Sequence, residues 1–279
     1  MRIVTTSKEV REQVAAWRKQ GLSVGLVPTM GYLHEGHKSL IDAAVAGNDK
    51  VVVSVFVNPM QFGPTEDLAS YPRDLDRDAA LCEAAGADLI FHPEPEEMYL
   101  PDFSSFVDMN TLTKGLCGKT RPIHFRGVCT VVAKLFNIVT PDRAYFGQKD
   151  AQQLAVIRHM VSDLSYGIEI IGCPIIREED GLAKSSRNTY LNEEERKAAL
   201  VLSRSLAIGK ALVKKGAATK ELIAAMTEEI KKEPLAKIDY VEIVDWNTLE
   251  PVETVEGPIL TAMAVYIGKT RLIDNFIVE

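Results

Sequence analysis

His34 and His37 stand at the end of the stretch Val27-Pro28-Thr29-Met30-Gly31-Tyr32-Leu33-His34-Glu35-Gly36-His37, which leads from an apolar strand into an amphipathic helix. Ser23 to Val27 reads as the strand, and His37 to Ala46 spaces Leu40, Ile41, Ala44 and Val45 as a helix does. Such a turn suits an anion. Gly31 and Gly36 let the backbone bend sharply and come close to a ligand, while the first turn of the helix offers N–H groups and the positive end of its dipole. With the helix beginning near Leu33, the two imidazoles share one face at its N-terminus and meet the same ligand. His-x-x-His is also half of a metal site, but that reading needs at least one more ligand nearby and is the minor alternative.

Three other segments carry chemistry-bearing side chains. Asn58 and Gln61 follow the apolar stretch Val51 to Val57; they are either ordinary turn residues or amides presented at a strand end. Gly147-Gln148-Lys149-Asp150 follows a second short strand, where Lys149 can reach a phosphate as a point charge and Asp150 can cap the next helix. Lys184-Ser185-Ser186-Arg187 packs two cations around two hydroxyls, a surround for the β- and γ-phosphates of a nucleotide or simply a solvated basic loop.

The elements that must position these residues alternate. Ile3-Val4 opens a strand, Lys8 to Lys19 a helix with Val10, Val14 and Trp17 on one side, and Val51 to Val57 a strand apolar enough to be buried on both faces. Asp74 to Ala85 reads as a helix, Asp88 to Phe91 as a strand, Val128 to Val139 as a buried helix, Ala144 to Phe146 and Ile168 to Ile176 as strands. The pattern predicts an α/β fold, a doubly wound parallel sheet of Rossmann-like type, whose ligands bind beyond the carboxyl ends of its strands. The pattern then changes. Arg177 to Asn188 reads as a polar loop able to move, Asn192 and Glu195 as a capping box for a helix running to Gly216, and Lys220 to Lys232 as another helix. Asp239 to Val244, Leu260 to Ile267 and Arg271 to Val278 read as three strands. The expected division is a catalytic domain over residues 1–176 and a smaller C-terminal α+β lid domain over 177–279.

With 279 residues, 46% of them hydrophobic, the chain can bury a real core. A net charge of −7 argues against a nucleic-acid surface, which needs a clustered basic face. Met1 to Gln20 lacks the apolar centre of a signal peptide, and Val51 to Val57 is too short to span a bilayer, so the expected setting is the cytoplasm, away from membranes. Cys82, Cys117, Cys129 and Cys173 are too scattered for a zinc site or a disulfide framework and read as buried or inert thiols.

His34-Glu35-Gly36-His37 resembles the His-x-Gly-His signature of the nucleotidylyl transferase superfamily, and Pro28-Thr29-Met30-Gly31 before it narrows the resemblance to the pantothenate synthetase family. Asn58-Pro59-Met60-Gln61-Phe62, Tyr71-Pro72-Arg73-Asp74, Arg121 to Val128, Phe146 to Asp150 with Gln152-Gln153, and Asp180 to Asn188 match the same family in order. Ile123 stands where the family pattern has glycine, and position 184 is variable in it. The resemblance implies an acid–amine ligase that joins pantoate to β-alanine through a pantoyl adenylate, with ATP as a substrate carrying Mg2+, no tightly bound organic cofactor and no metal held by side chains. It implies ATP binding by Met30, Gly31, His34, His37, Gly147, Lys149, Asp150, Ile176, Lys184, Ser185, Ser186 and Arg187. Of these, His34, His37, Lys149 and Arg187 are the catalytic candidates, Asp150 also serves the ribose, and Ile176 packs on adenine. Gln61 and Gln153, with Asn58, hold pantoate and β-alanine. Neutral amides orient a hydroxyl-bearing carboxylate without an ion pair that would stabilise its ground state. The resemblance also implies a homodimer. The alternatives are a plain nucleotidyl transferase that does no ligation and a regulatory module that binds ATP without turnover.

Overall fold

The computed structural model describes residues 1–279 in two compact units. One comprises Met1–Asn110, Arg121–Gln148 and Val156–Pro174; the other comprises Thr111–Thr120, Lys149–Ala155 and Ile175–Glu279. Two short segments, 111–120 and 149–155, thus belong with the C-terminal residues.

The chain begins β1 (Arg2–Val4), α1 (Ser7–Arg18), β2 (Val24–Thr29), α2 (Glu35–Gly47) and β3 (Lys50–Val55). It continues with α3 (Leu75–Ala84), β4 (Leu89–Phe91), the short α4 (Pro95–Met98) and α5 (Leu116–Thr120), then α6 (His124–Val139), β5 (Arg143–Gly147), α7 (Ala151–Asp163) and β6 (Glu169–Cys173). The first six strands form one parallel sheet in the order β1-β4-β3-β2-β5-β6. From β2 the chain winds one way through β3 and β4, then resumes on the other side of β2 with β5. The switch point therefore lies between β2 and β5, where an open α/β sheet forms its ligand crevice.

Valine-rich strands and alternating side-chain direction explain why helices cover both faces. Val27, Val51, Val53, Val55 and Ile90 pack with Leu40, Ile41 and Ala44 of α2 in one core cluster. The alternate residues Leu26, Val52, Leu89 and Phe91 are fully buried as well, and α6 packs on β2 and α1 on α6. Each such Leu or Ile contributes about 1.5–3 kcal/mol by leaving water.

The second unit holds α8 (Glu193–Ala198), α9 (Leu200–Leu212), α10 (Thr219–Lys231) and the strands β7 (Ala236–Asp245), β8 (Ile259–Ile267) and β9 (Thr270–Val278). The strands form an antiparallel sheet in that order. Leu202 and Leu206 of α9 and Met226 and Ile230 of α10 share a core with Met263, Val265 and Phe276 of the sheet. The Asn192–Glu195 capping box forms as expected.

Several element bounds differ from the sequence expectation. Strand β3 stops at Val55, and α6 begins a turn early, at His124. Strand β6 ends at Cys173 because Pro174 has no N–H to continue the ladder, which leaves Ile176 outside it. The helix expected from Asn192 to Gly216 is broken at Ala199 and ends at Leu212, where Val213 turns extended.

Candidate active site

Helix α2 begins at Glu35, two residues later than expected, because His34 is its cap. His34 Nδ1 accepts the Gly36 N–H at 3.1 Å, and His37 Nδ1 accepts the His34 N–H at 3.2 Å, a capping box built from two imidazoles. Their ring centroids lie 4.1 Å apart. A neutral imidazole that accepts at Nδ1 carries its proton on Nε2, so each ring presents an Nε2–H donor. Two such donors at the positive end of a helix dipole make a surface for an oxyanion.

The turn before the helix is held from below. Thr29 donates its hydroxyl to the Ser54 carbonyl at 2.7 Å and accepts the Gly31 N–H at 3.2 Å. Gly31 has φ +83°, which favours glycine, and a Cβ on it would crowd Asp78 Oδ2 at 3.1 Å and Val55 Cγ1 at 3.2 Å. Asp78, on the core-facing side of α3 and 1% exposed, accepts the Tyr32 N–H at 2.8 Å and the Leu33 N–H at 2.6 Å. Burial raises its pKa above the ordinary carboxylate value, and the bonds from Leu33 and Tyr32 restore only part of the difference. The sequence reading missed Asp78. The signal was present: a carboxylate at the position of α3 that shares the buried face with Cys82.

Asn58 caps a single 3-10 turn, Pro59–Gln61, just past β3. Its amide and that of Gln61 bond at 3.0 Å, and both side chains are buried. The turn is clamped against α6, where a Cβ on Gly127 would lie 2.6 Å from Gln61 Cα; no other residue fits. The Gln61 carbonyl receives Arg121 Nη2 at 3.3 Å and lies 3.1 Å from His124 Nδ1. Arg121 is itself held by both oxygens of Glu66. Burial alone would push the Glu66 carboxyl up, but the bonds and charge of Arg121 outweigh it and hold the pKa below its usual value. Ile123 is exposed and ends its turn in helical conformation, so its departure from glycine leaves Arg121 and His124 seated.

In the second unit Lys149 and Asp150 share the turn Gln148–Asp150 ahead of α7, their charges 4.0 Å apart, and the Lys149 carbonyl accepts Asn275 Nδ2 at 2.9 Å. Gln153 is half-buried in the first turn of α7. Its neighbour Gln152 donates to the carbonyls of Leu112 and Gly115 at 2.9 and 3.0 Å, which ties residues 111–120 to this helix. Gly147, the last residue of β5, has open space where a Cβ would be.

The expected polar loop 177–188 is a hairpin and a cap. Lys184 N–H bonds the Ile176 carbonyl at 2.9 Å and Glu178 N–H the Leu182 carbonyl at 2.8 Å, with Gly181 at the bend. Ser185 caps the turn Ser186–Tyr190 by accepting the Arg187 N–H at 3.3 Å. Arg177 grips the buried Asp274 through two bonds of 2.7 and 2.9 Å, and Arg196 bonds Glu178 and Asp180. Backbone pairing therefore sets Ile176, Lys184, Ser185, Ser186 and Arg187 in one ordered run. No cluster of three His, Cys, Asp or Glu side chains stands ready to hold a metal. The four cysteines are buried, and desolvation pushes Cys82 and Cys129 up to about 12. No helix is long and apolar enough to cross a membrane.

The family described as Pantoate-beta-alanine ligase matches residues 2–277. The chain belongs to this family. It is 65% identical to the pantothenate synthetase of Ruminiclostridium cellulolyticum over 277 residues, covering 99% of this chain and 98% of that one. It is 61% identical to that of Enterococcus faecalis over 280 residues, 100% and 99% of the two chains. Among solved structures, pantothenate synthetase from Thermus thermophilus superposes with a TM-score of 0.93 at 48% identity, covering 99% of both chains. The Francisella tularensis pantoate-beta-alanine ligase complexed with beta-gamma ATP and beta-alanine has a TM-score of 0.82 at 34% identity, covering 99% of this chain and 97% of that one. The six-stranded parallel sheet with its flanking helices and the small antiparallel sheet are the family's architecture in this chain.

Proposed function

We propose that the chain ligates pantoate and β-alanine to pantothenate in two steps, with ATP supplied as its magnesium complex. A pantoate carboxylate oxygen attacks the α-phosphorus, and the bond to pyrophosphate breaks. The amine of β-alanine then attacks the carbonyl of the pantoyl adenylate, losing a proton as AMP departs. No base is needed for the first step, since a carboxylate is already ionised at neutral pH.

The observation that carries this reading is the double imidazole cap on α2, with both Nδ1 atoms accepting and both Nε2–H atoms directed donors at a helix N-terminus. Donors of this kind stabilise charge that grows on the phosphate oxygens as the adenylyl group transfers. Met30 and Gly31 form the nucleotide-facing turn. Lys149, Lys184 and Arg187 supply positive charge to the triphosphate, and Ser185 and Ser186 its hydroxyl contacts. Gly147 and Ile176 accommodate the nucleoside, with Asp150 on the ribose. Gln61 and Gln153 hold pantoate by neutral hydrogen bonds. Residues 177–279 act as the lid, and the protein works as a cytoplasmic homodimer on small molecules, without nucleic acid or membrane.

Steady-state kinetics test the assignment. Gln61→Ala and Gln153→Ala each leave polar groups unpaired at about 1–3 kcal/mol apiece, so each raises the KM for pantoate roughly tenfold or more while the KM for ATP holds. Unchanged pantoate saturation in both variants contradicts it.

A further inference from the structure

The side chain of Asn58 has only one admissible orientation. Its Oδ1 accepts the Met60 backbone N–H at 3.3 Å and the Tyr99 hydroxyl at 2.7 Å, while Nδ2 donates to the Gly127 carbonyl at 3.1 Å and to Gln61 Oε1 at 3.0 Å. A backbone N–H can only donate and a backbone carbonyl can only accept. Those two main-chain groups therefore decide which end of Asn58 is oxygen. The remaining hydrogen on Nδ2 requires an acceptor, which decides Gln61 in turn. Gln61 turns Oε1 toward Asn58 and Nε2 away, against the Met30 thioether sulfur at 3.1 Å. A thioether is a weak acceptor, easily exchanged for a substrate oxygen.

Asn58 itself has nothing left to offer a substrate. It is 1% exposed, and its four partners use both donor hydrogens and both lone pairs of the amide. Tyr99 completes the lock from the C-terminal end of α4. Burial pushes its pKa well up, so it stays a protonated donor throughout the physiological range.

We infer that Asn58 is a positioning residue, locked by Tyr99 and the main chain, whose task is to set the polarity of Gln61 so that the acid substrate meets an N–H donor. The substrate atom at Gln61 is accordingly an acceptor oxygen. This rests on the reading that Gln61 holds pantoate, and the test separates the two.

Asn58→Asp reverses the polarity. The ionised carboxylate introduced there has only acceptors, so it repels Gln61 Oε1 and Gln61 turns over, presenting oxygen to the substrate. Protonation removes the charge that repels Gln61 Oε1 and supplies one O–H where the amide had two N–H, shared between the Gly127 carbonyl and Gln61 Oε1, so the original sense is recovered in part. Burial beside the Gly127 carbonyl raises the pKa at which this happens. The pantoate KM, as a ratio to wild type at the same pH, should be raised roughly tenfold or more near pH 8 and fall several-fold toward about pH 6, with the ATP KM ratio flat. Taking ratios removes the titration of groups common to both proteins. These are His124 and the Arg121–Glu66 pair at the Gln61 carbonyl, His34 and His37, and Lys134, whose Nζ lies 5.8 Å from the centre of the Tyr99 ring. Gln61→Glu keeps Asn58 intact and should show the same pH signature, which tests whether the substrate atom at residue 61 is an acceptor. Asn58→Ala, which leaves Gln61 free to present either end, should raise the pantoate KM without that signature and carries the test of the relay if Asn58→Asp fails to fold. Gln61→Ala serves as the reference. If it leaves the pantoate KM unchanged, the assignment of Gln61 is overturned. If it raises that KM while the acidic variant's ratio is unchanged from wild type or equally raised at both pH values, the polarity relay is overturned.

Discussion

The Asp78 carboxylate receives the Leu33 backbone N–H at 2.6 Å and so ties α3 to the residue that precedes the cap of the histidine helix. With its second oxygen on the Tyr32 N–H, it closes a turn in which Tyr32 has φ +51° and Gly31 φ +83°. Glycine adopts that conformation freely, but a left-handed backbone is costly for Tyr32. Asp78 offsets that cost from inside the core.

Asp78→Asn should therefore destabilise the protein, because an amide can accept one of the two N–H groups but turns its own NH2 toward the other. The expected loss is about 1–3 kcal/mol in denaturant unfolding, and the adenylyl-transfer rate falls with it as His34 and His37 lose their fixed positions. The pH dependence gives an independent check. A carboxyl whose folded pKa is raised above its unfolded value makes stability fall as pH rises from the unfolded pKa through the folded one, after which it is level. That slope should be present in the wild type and absent in Asp78→Asn; equal slopes would contradict the role.

His34→Ala and His37→Ala each remove one directed donor from the phosphate surface, a loss of ~10²–10³ in rate. The KM for ATP should change far less, since a donor aimed at charge that grows in the transition state contributes little to ground-state binding. His37→Ala also strips the acceptor from the His34 N–H, so it should lower the melting temperature as well. Near-normal turnover in both variants would contradict the assignment.

Glu66 gives the opposite pH sign from Asp78. Its carboxyl is held below the usual value by Arg121 against the pull of burial. The stability it contributes is present above its unfolded pKa and is lost as pH falls through the folded one. Glu66→Gln should flatten the acid limb of the unfolding curve. It should also raise the pantoate KM modestly, because Arg121 then loses the partner that aims it at the Gln61 carbonyl. An acid limb identical to that of the wild type would contradict the first expectation.

Much of this could be read in advance, for identifiable reasons. Valine runs such as Val51 to Val55 and the spacing of Leu40, Ile41 and Ala44 announce a buried parallel sheet and its helix, because burial periodicity is a local property of the chain. The Asn192–Glu195 box was legible for the same reason: cap and partner lie three residues apart. What escaped depends on residues far apart in sequence. The helix pattern could have marked Asp78 as buried, but that it reaches back to Leu33, and that Tyr99 reaches Asn58, are partnerships across distances that no local pattern encodes. The 177–188 segment was legible as a loop from its polar composition, but its internal bonds were not, because they depend on backbone pairing and on Arg177 reaching Asp274.

The central claim is a ligation that passes through a held acyl adenylate, and pyrophosphate release tests it most directly. A mixed anhydride hydrolyses readily in water, so an enzyme that waits for an amine must shelter the intermediate. With pantoate and ATP but no β-alanine, pyrophosphate should appear as a burst of about one equivalent per site and then slow sharply, as expected for an accumulating intermediate. Adding β-alanine should restore steady release together with AMP. Continuous full-rate release of pyrophosphate without the amine, or none until the amine is added, would contradict the account.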